Sequence, residues 1–176
     1  MADLGSHSIS LLIALLGKRL RITSAAQAGQ FKDVPVESDL FSMITLYDES
    51  TRAAGTLSAS RISSGTGDLF SIELYAEKGA IRYTSKSADS YDYYTEDSGV
   101  WHSVKTGSSY QPVTNFPSGH VPPGWLRSMI HAHYVFLTGN DKKCFVPDIE
   151  HGLAVQRIVT QTAEHLNEFR LSLPTN

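Results

Sequence analysis

The feature that most constrains this chain is a change of hydrophobic period along its length. Helical spacing comes first, β alternation fills the middle, and helical spacing returns at the end. Between Asp3 and Gly17, the residues Leu4, His7, Ser8, Leu11, Leu12 and Leu15 follow intervals of three and four. That spacing predicts a helix with this stripe against the core. Gly17 stands as its stop, with Lys18 and Arg19 near the negative end of the dipole. From about Leu20 to Val104, β-formers and short turns take over. Strands are predicted over Phe41 to Tyr47 and Ala53 to Ile62, joined by the turn Asp48-Glu49-Ser50-Thr51. Phe70, Ile72, Leu74 and Ala76 then alternate with Ser71, Glu73, Tyr75 and Glu77. Ala80 to Ser85 returns, and Tyr91 to Thr95 pairs with Val100 to Val104 around Glu96-Asp97-Ser98-Gly99.

The segment from Lys105 to Pro123 has no period and reads as a long loop. Pro122-Pro123 opens a second helix through Trp125, Leu126, Met129, Ile130, His133 and Leu137, ended by Gly139-Asn140. Pro147-Asp148 caps a third, with the stripe Val155, Ile158, Val159, Thr162, Ala163, Leu166 and Phe169. Helices segregated from strands, with connections this short, predict an α+β fold. The expected form is an open, largely antiparallel sheet with helices packed on one face. The other face, with Arg61, Ser71, Glu73 and Tyr75, is left for solvent or oligomerisation. At 176 residues, a single domain over 1–176 is expected.

Eighteen acidic against fifteen basic residues give a net charge of −3. With no cationic excess to neutralise phosphates, general nucleic-acid binding is excluded. The longest apolar run, Leu11 to Leu16, falls far short of the roughly 20 residues of a membrane helix. Met1-Ala2-Asp3 shows neither the basic start nor the cleavage site of a secretory signal. The one cysteine, Cys144, excludes an internal disulfide and a multi-cysteine zinc site, and its expected role is a small buried residue. A cytoplasmic setting is the expectation.

Gly65-Thr66-Gly67 has the spacing of a dinucleotide fingerprint, but Phe70 stands where the third glycine belongs and a strand follows. No cofactor is therefore expected to bind this chain. His131 and His133 lie two apart on a helix and point to different faces, while His102, His120, His151 and His165 lack ligand-spaced companions. No metal site is expected. Asp3 and His7 differ: four apart at a helix start, they share a face and can touch. A carboxylate beside an imidazole suits a proton acceptor working near neutrality. An acid in a first turn also complements the helix dipole.

Four stretches in order carry a family likeness: Asp3 to Ile9, Ala54 to Arg61, Ile72 to Ile81 and Val146 to Leu153. The first resembles the helix that begins the C-terminal domain of the Gfo/Idh/MocA nicotinamide-dependent oxidoreductases. The others are similar to that domain's central strand, its strand–turn–strand and the start of its final helix. The resemblance implies the substrate-binding and oligomerisation half of a sugar or polyol dehydrogenase. In that family an N-terminal Rossmann domain binds NAD or NADP, and D-x-x-x-H joins a lysine from Glu-Lys-Pro. Asp3 and His7 match the first motif. By that match His7 takes the hydroxyl proton, and Asp3 orients it or holds a substrate hydroxyl. This sequence carries no Rossmann half and no Glu-Lys-Pro; Glu77-Lys78-Gly79 is a turn, and Ala76 replaces a usual glycine. The chain alone is expected to be inactive as a dehydrogenase and to form homo-oligomers through its open sheet face.

His120, Trp125 and Arg127 are the further candidates for lining a sugar site, Trp125 competing as a helix anchor. Arg61, near a strand end, can pair with a carboxylate across the sheet. Other readings are a self-standing association or small-ligand module without redox activity, and an unrelated cone-shaped α+β enzyme.

Overall fold

The computed structural model describes residues 2–28, 40–67, 69–106, 123–139 and 145–172. They divide into two compact units, one drawn from Met1–Ser63 with Pro147–Asn176, the other from Ser64–Val146.

The first unit holds helix α1 (Leu4–Leu16), strands β1 (Leu20–Ala28), β2 (Phe41–Asp48) and β3 (Ala54–Ser60), and helix α3 (Ile149–Ser172). The strands form an antiparallel sheet in the order β1-β2-β3. Alternation in β2 sends Ser42, Ile44, Leu46 and Asp48 inward. Ile44 lies between Ala25 and Leu57 in register, and Leu46 pairs with Ile22. Both helices cover this one face, Ile9 and Ile13 from α1 and Ala154 and Ile158 from α3.

On α1 the inner face is not the expected stripe. The buried line is Gly5, Ile9 and Ile13, while Leu4 and Leu15 are 41% and 53% exposed. Apolar residues nearly encircle this helix, so spacing alone cannot choose its inner face. Gly17 ends it at φ +106°, its N–H donating to the Ile13 carbonyl over 2.9 Å. In α3, Ala154 joins the buried stripe and Ala163 is exposed. Strand β1 was not individually legible. Its register shifts between Ile22 and Ser24, a bulge that breaks the alternation.

Asp48 is fully covered at the end of β2. Its Oδ2 accepts from Ser50 Oγ (2.6 Å), Thr51 Oγ1 (2.6 Å) and the Thr51 N–H (2.8 Å). These bonds, from Ser50 first and Thr51 next, hold its carboxyl below the usual carboxylate range against the opposing effect of burial. The lowered folded pKa makes ionised Asp48 stabilising. That contribution is complete above the unfolded carboxyl's pKa of about 3.9 and is lost as pH falls on through the folded value. Asp48→Ala is expected to remove on the order of 1 kcal/mol per lost hydrogen bond at neutral pH and to flatten the acid limb of the stability curve. Urea unfolding across the acid range checks this; an unchanged acid slope in the variant contradicts it.

The second unit holds β4 (Ser71–Ala76), β5 (Gly79–Thr84), β6 (Ser90–Thr95), β7 (Trp101–Lys105) and helix α2 (Pro123–Thr138). Its strands form an antiparallel meander, β4-β5-β6-β7. Gly79 is required where β5 meets β6, because a Cβ there would lie 2.5 Å from the Tyr94 carbonyl oxygen. The α+β expectation holds, with the strands in two antiparallel sheets. On α2, Met129, Ile130, His133 and Leu137 are exposed and Val135 is buried, so the expected inner stripe is not the observed one. No helix among the described residues is long and apolar enough to cross a membrane.

Candidate functional site

Asp3 occupies the N-cap position of α1, yet its side chain makes no capping hydrogen bond. Ser6 Oγ instead donates to the Asp3 carbonyl over 2.7 Å, tightening the first turn. The carboxylate, unused as a cap, has another partner. That partner is Arg61, whose guanidinium Nη2 donates to Asp3 Oδ2. Arg61 immediately follows β3, and its backbone N–H donates to the Leu40 carbonyl over 2.8 Å. The ion pair therefore ties the start of α1 to the end of β3. Both side chains keep about half their surface, 63% for Asp3 and 45% for Arg61. At that exposure its value lies in direction rather than in stability.

His7 lies one turn further along α1 and is exposed. The Asp3 carboxylate is paired with Arg61, and no ion pair between His7 and Asp3 occurs among the described residues. Arg61 offers that carboxylate a permanent, planar donor. Sequence reading allowed Arg61 a carboxylate partner across the sheet; the partner is on the helix packed over it. What the site presents is an exposed imidazole beside a carboxylate–guanidinium pair. Such a pair can accept from one hydroxyl and donate to its neighbour.

His120 lies outside the described residues. Trp125 and Arg127 fall in the first two turns of α2, and their side chains lie outside the described residues. Cys144 also lies outside them.

Other histidines serve the fold. His151 is 3% exposed, its Nε2 within 2.8 Å of Ser10 Oγ, joining α3 to α1. Its backbone N–H donates to Asp148 Oδ1 over 2.7 Å, the side-chain cap expected for α3. That bond, with Lys18 and His151 nearby, holds the Asp148 carboxyl below its usual range. His133 Nδ1 is 2.8 Å from the Met129 carbonyl. No group of three His, Cys, Asp or Glu able to hold a metal occurs among the described residues.

No protein-family model matches the chain, and no curated protein matches it. Its fold does match solved structures. An oxidoreductase domain protein from Kribbella flavida superposes with a TM-score of 0.76 at 20% identity, covering 94% of this chain and 47% of that one. Levoglucosan dehydrogenase, solved with NADH and levoglucosan, gives 0.66 at 19% identity, covering 92% and 47%. An inositol dehydrogenase homolog from Azotobacter vinelandii, solved with NAD+, gives 0.66 at 15% identity, covering 94% and 46%. The fold is thus one found in oxidoreductases. More particularly, these neighbours are of the Gfo/Idh/MocA type, in agreement with the resemblance seen in the sequence. The chain spans about half the length of the solved structures it matches.

Proposed function

We propose that this chain is the substrate-binding and oligomerisation half of an NAD(P)-dependent sugar or polyol dehydrogenase, acting with a Rossmann domain and inactive without one. The observation that carries this reading is the start of α1. Asp3 is held by Arg61 rather than spent on capping, and His7 stands exposed one turn away. The fold around them is shared with NADH-bound levoglucosan dehydrogenase and the NAD+-bound inositol dehydrogenase homolog.

The chemistry follows from that arrangement. A substrate hydroxyl placed on His7 gives its proton to the imidazole as the C–H bond of the same carbon breaks and the C=O bond forms. A nicotinamide bound by the companion domain supplies the hydride acceptor. Asp3 accepts a hydrogen bond from a neighbouring hydroxyl, and Arg61 keeps that carboxylate in place while its other N–H groups donate to the next oxygen. Paired donor and acceptor suit a polyol, which offers adjacent hydroxyls able to do both. His120, Trp125 and Arg127 are proposed as further sugar-contacting residues. Self-association is assigned to the exposed sheet face bearing Glu73 and Tyr75, and the setting to the reducing cytoplasm.

Titration of the chain with a cyclic polyol, followed by amide and imidazole NMR, tests the site. Saturable shifts clustered at Ser6, His7 and Arg61 are expected in the millimolar range, reduced at least several-fold in Arg61→Met. Shifts scattered over the surface, or unaffected by that substitution, contradict the reading.

A further inference from the structure

His7 stands on α1 between two directional tethers. Ahead of it, the Asp3 carboxylate accepts from Arg61, just past the end of β3. Behind it, Ser10 Oγ lies 2.8 Å from His151 Nε2, in the first turn of α3. Four and then three positions separate Asp3, His7 and Ser10. That spacing sets them along one side of the helix, with about 4.5 Å of rise between His7 and Ser10.

The second tether is itself held in place. His151 is 3% exposed. Its backbone N–H donates to Asp148 Oδ1 over 2.7 Å, and the Gly152 N–H donates to the Asp148 carbonyl over 3.1 Å. The turn that carries the imidazole is thereby closed. A flat ring on two torsions, packed at this burial, has little room to swing. Ser10 is half-buried, and its hydroxyl is one torsion away from the α1 backbone. Whichever of the two groups supplies the shared proton, the bond joins a fixed point on α3 to a fixed point on α1.

Around this bond the core is apolar. Ile9 and Ile13 of α1 meet Ala154 and Ile158 of α3, with Leu12, Val155 and Val159 beside them. Hydrophobic burial holds the layers together but has no direction of its own. A hydrogen bond does, and it is lost within about 1 Å of displacement. The Ser10–His151 bond is therefore suited to setting the height and rotation of α1.

We infer that His151 is a positioning residue for His7, acting through Ser10. His7 and Ser10 share one turn of helix, so a shift at Ser10 reaches His7 undiminished. Proton transfer needs hydrogen-bond reach, and a misplacement of about 1 Å can cost about 100-fold in rate. That consequence rests on the proposed dehydrogenase reading; the coupling of His151 to His7 belongs to this chain by itself.

The test has two parts, with Ser10→Ala as the variant that removes the bond and Ile158→Val as the control that loosens the same core without touching it. In NMR of the chain alone, Ser10→Ala is expected to shift and broaden the His7 imidazole signals, Ile158→Val to leave them in place, and Ser10→Thr, which keeps the hydroxyl, to restore them. In a protein joining the chain to a nucleotide-binding domain, Ser10→Ala is expected to lower kcat about 5- to 50-fold with little change in the polyol KM. Ile158→Val is expected to lower the urea midpoint and keep kcat. His7 signals unmoved by Ser10→Ala, or moved equally by Ile158→Val, would overturn the inference. So would an active joined wild type whose kcat survives Ser10→Ala. A joined wild type without dehydrogenase activity would instead overturn the reading on which the kinetic consequence rests.

Discussion

His7→Ala is expected, on the proposed dehydrogenase reading, to lower kcat by about 10²- to 10⁴-fold in a protein that joins this chain to a nucleotide-binding domain, the range typical of a lost general base. KM for the polyol should change far less, because the grip on neighbouring hydroxyls is assigned to Asp3 and Arg61, which remain paired. Added imidazole should restore part of the rate, since the side chain is exposed and its removal leaves an open place for a soluble base. Steady-state kinetics with and without imidazole check this. A variant that keeps wild-type kcat, or loses affinity alone, removes His7 from the proton transfer. Arg61→Lys provides the complementary comparison: it preserves charge but not the planar fork, so the polyol KM is expected to rise with kcat less affected.

Ile44→Ala should produce the largest loss of stability, about 2–5 kcal/mol. Ile44 is 1% exposed at the middle of the central strand of the first sheet, beneath Ile9, Ile13 and Ile158. Its truncation leaves a cavity between layers that hold each other in place. Because small domains are stable by only about 5–15 kcal/mol in total, this is a large fraction. Ile81 is the control: it also lies on an inner strand, β5, but is 47% exposed. Ile81→Ala is expected to cost under about 1 kcal/mol. Urea unfolding of both variants measures the difference, and equal losses would show that the core has been placed wrongly. The functional consequence is specific. Ile9 and Ile13 dock α1 on this face, so loosening it is expected to disturb the Asp3–Arg61 pair as well.

What the sequence made legible was chiefly local. Pro147-Asp148 announced the start of α3, and the Asp148 side chain caps the His151 N–H there. Glu77-Lys78-Gly79 announced the β4–β5 turn, and Gly17 the end of α1. These features depend on residues within a few positions of one another. Choices between faces were harder. On α1 the apolar residues run nearly all round, and only the packing of Ile9 and Ile13 against the sheet decides which side is inward. On β1 the bulge after Ile22 shifts the alternation in mid-strand. Of the candidate site, the spacing of Asp3 and His7 at the start of one helix was legible, because it is local. The partner that takes the Asp3 carboxylate stands 58 residues away, beyond the reach of any spacing argument.

The dehydrogenase account requires that the nucleotide-binding half be made with this chain. Sequencing the transcript upstream of the codon for Met1 tests that requirement directly. The account predicts an in-frame domain carrying a strand–turn–helix with G-x-G-x-x-G and, after it, Glu-Lys-Pro. A stop codon directly ahead of Met1, with no such domain encoded beside it, would contradict the account.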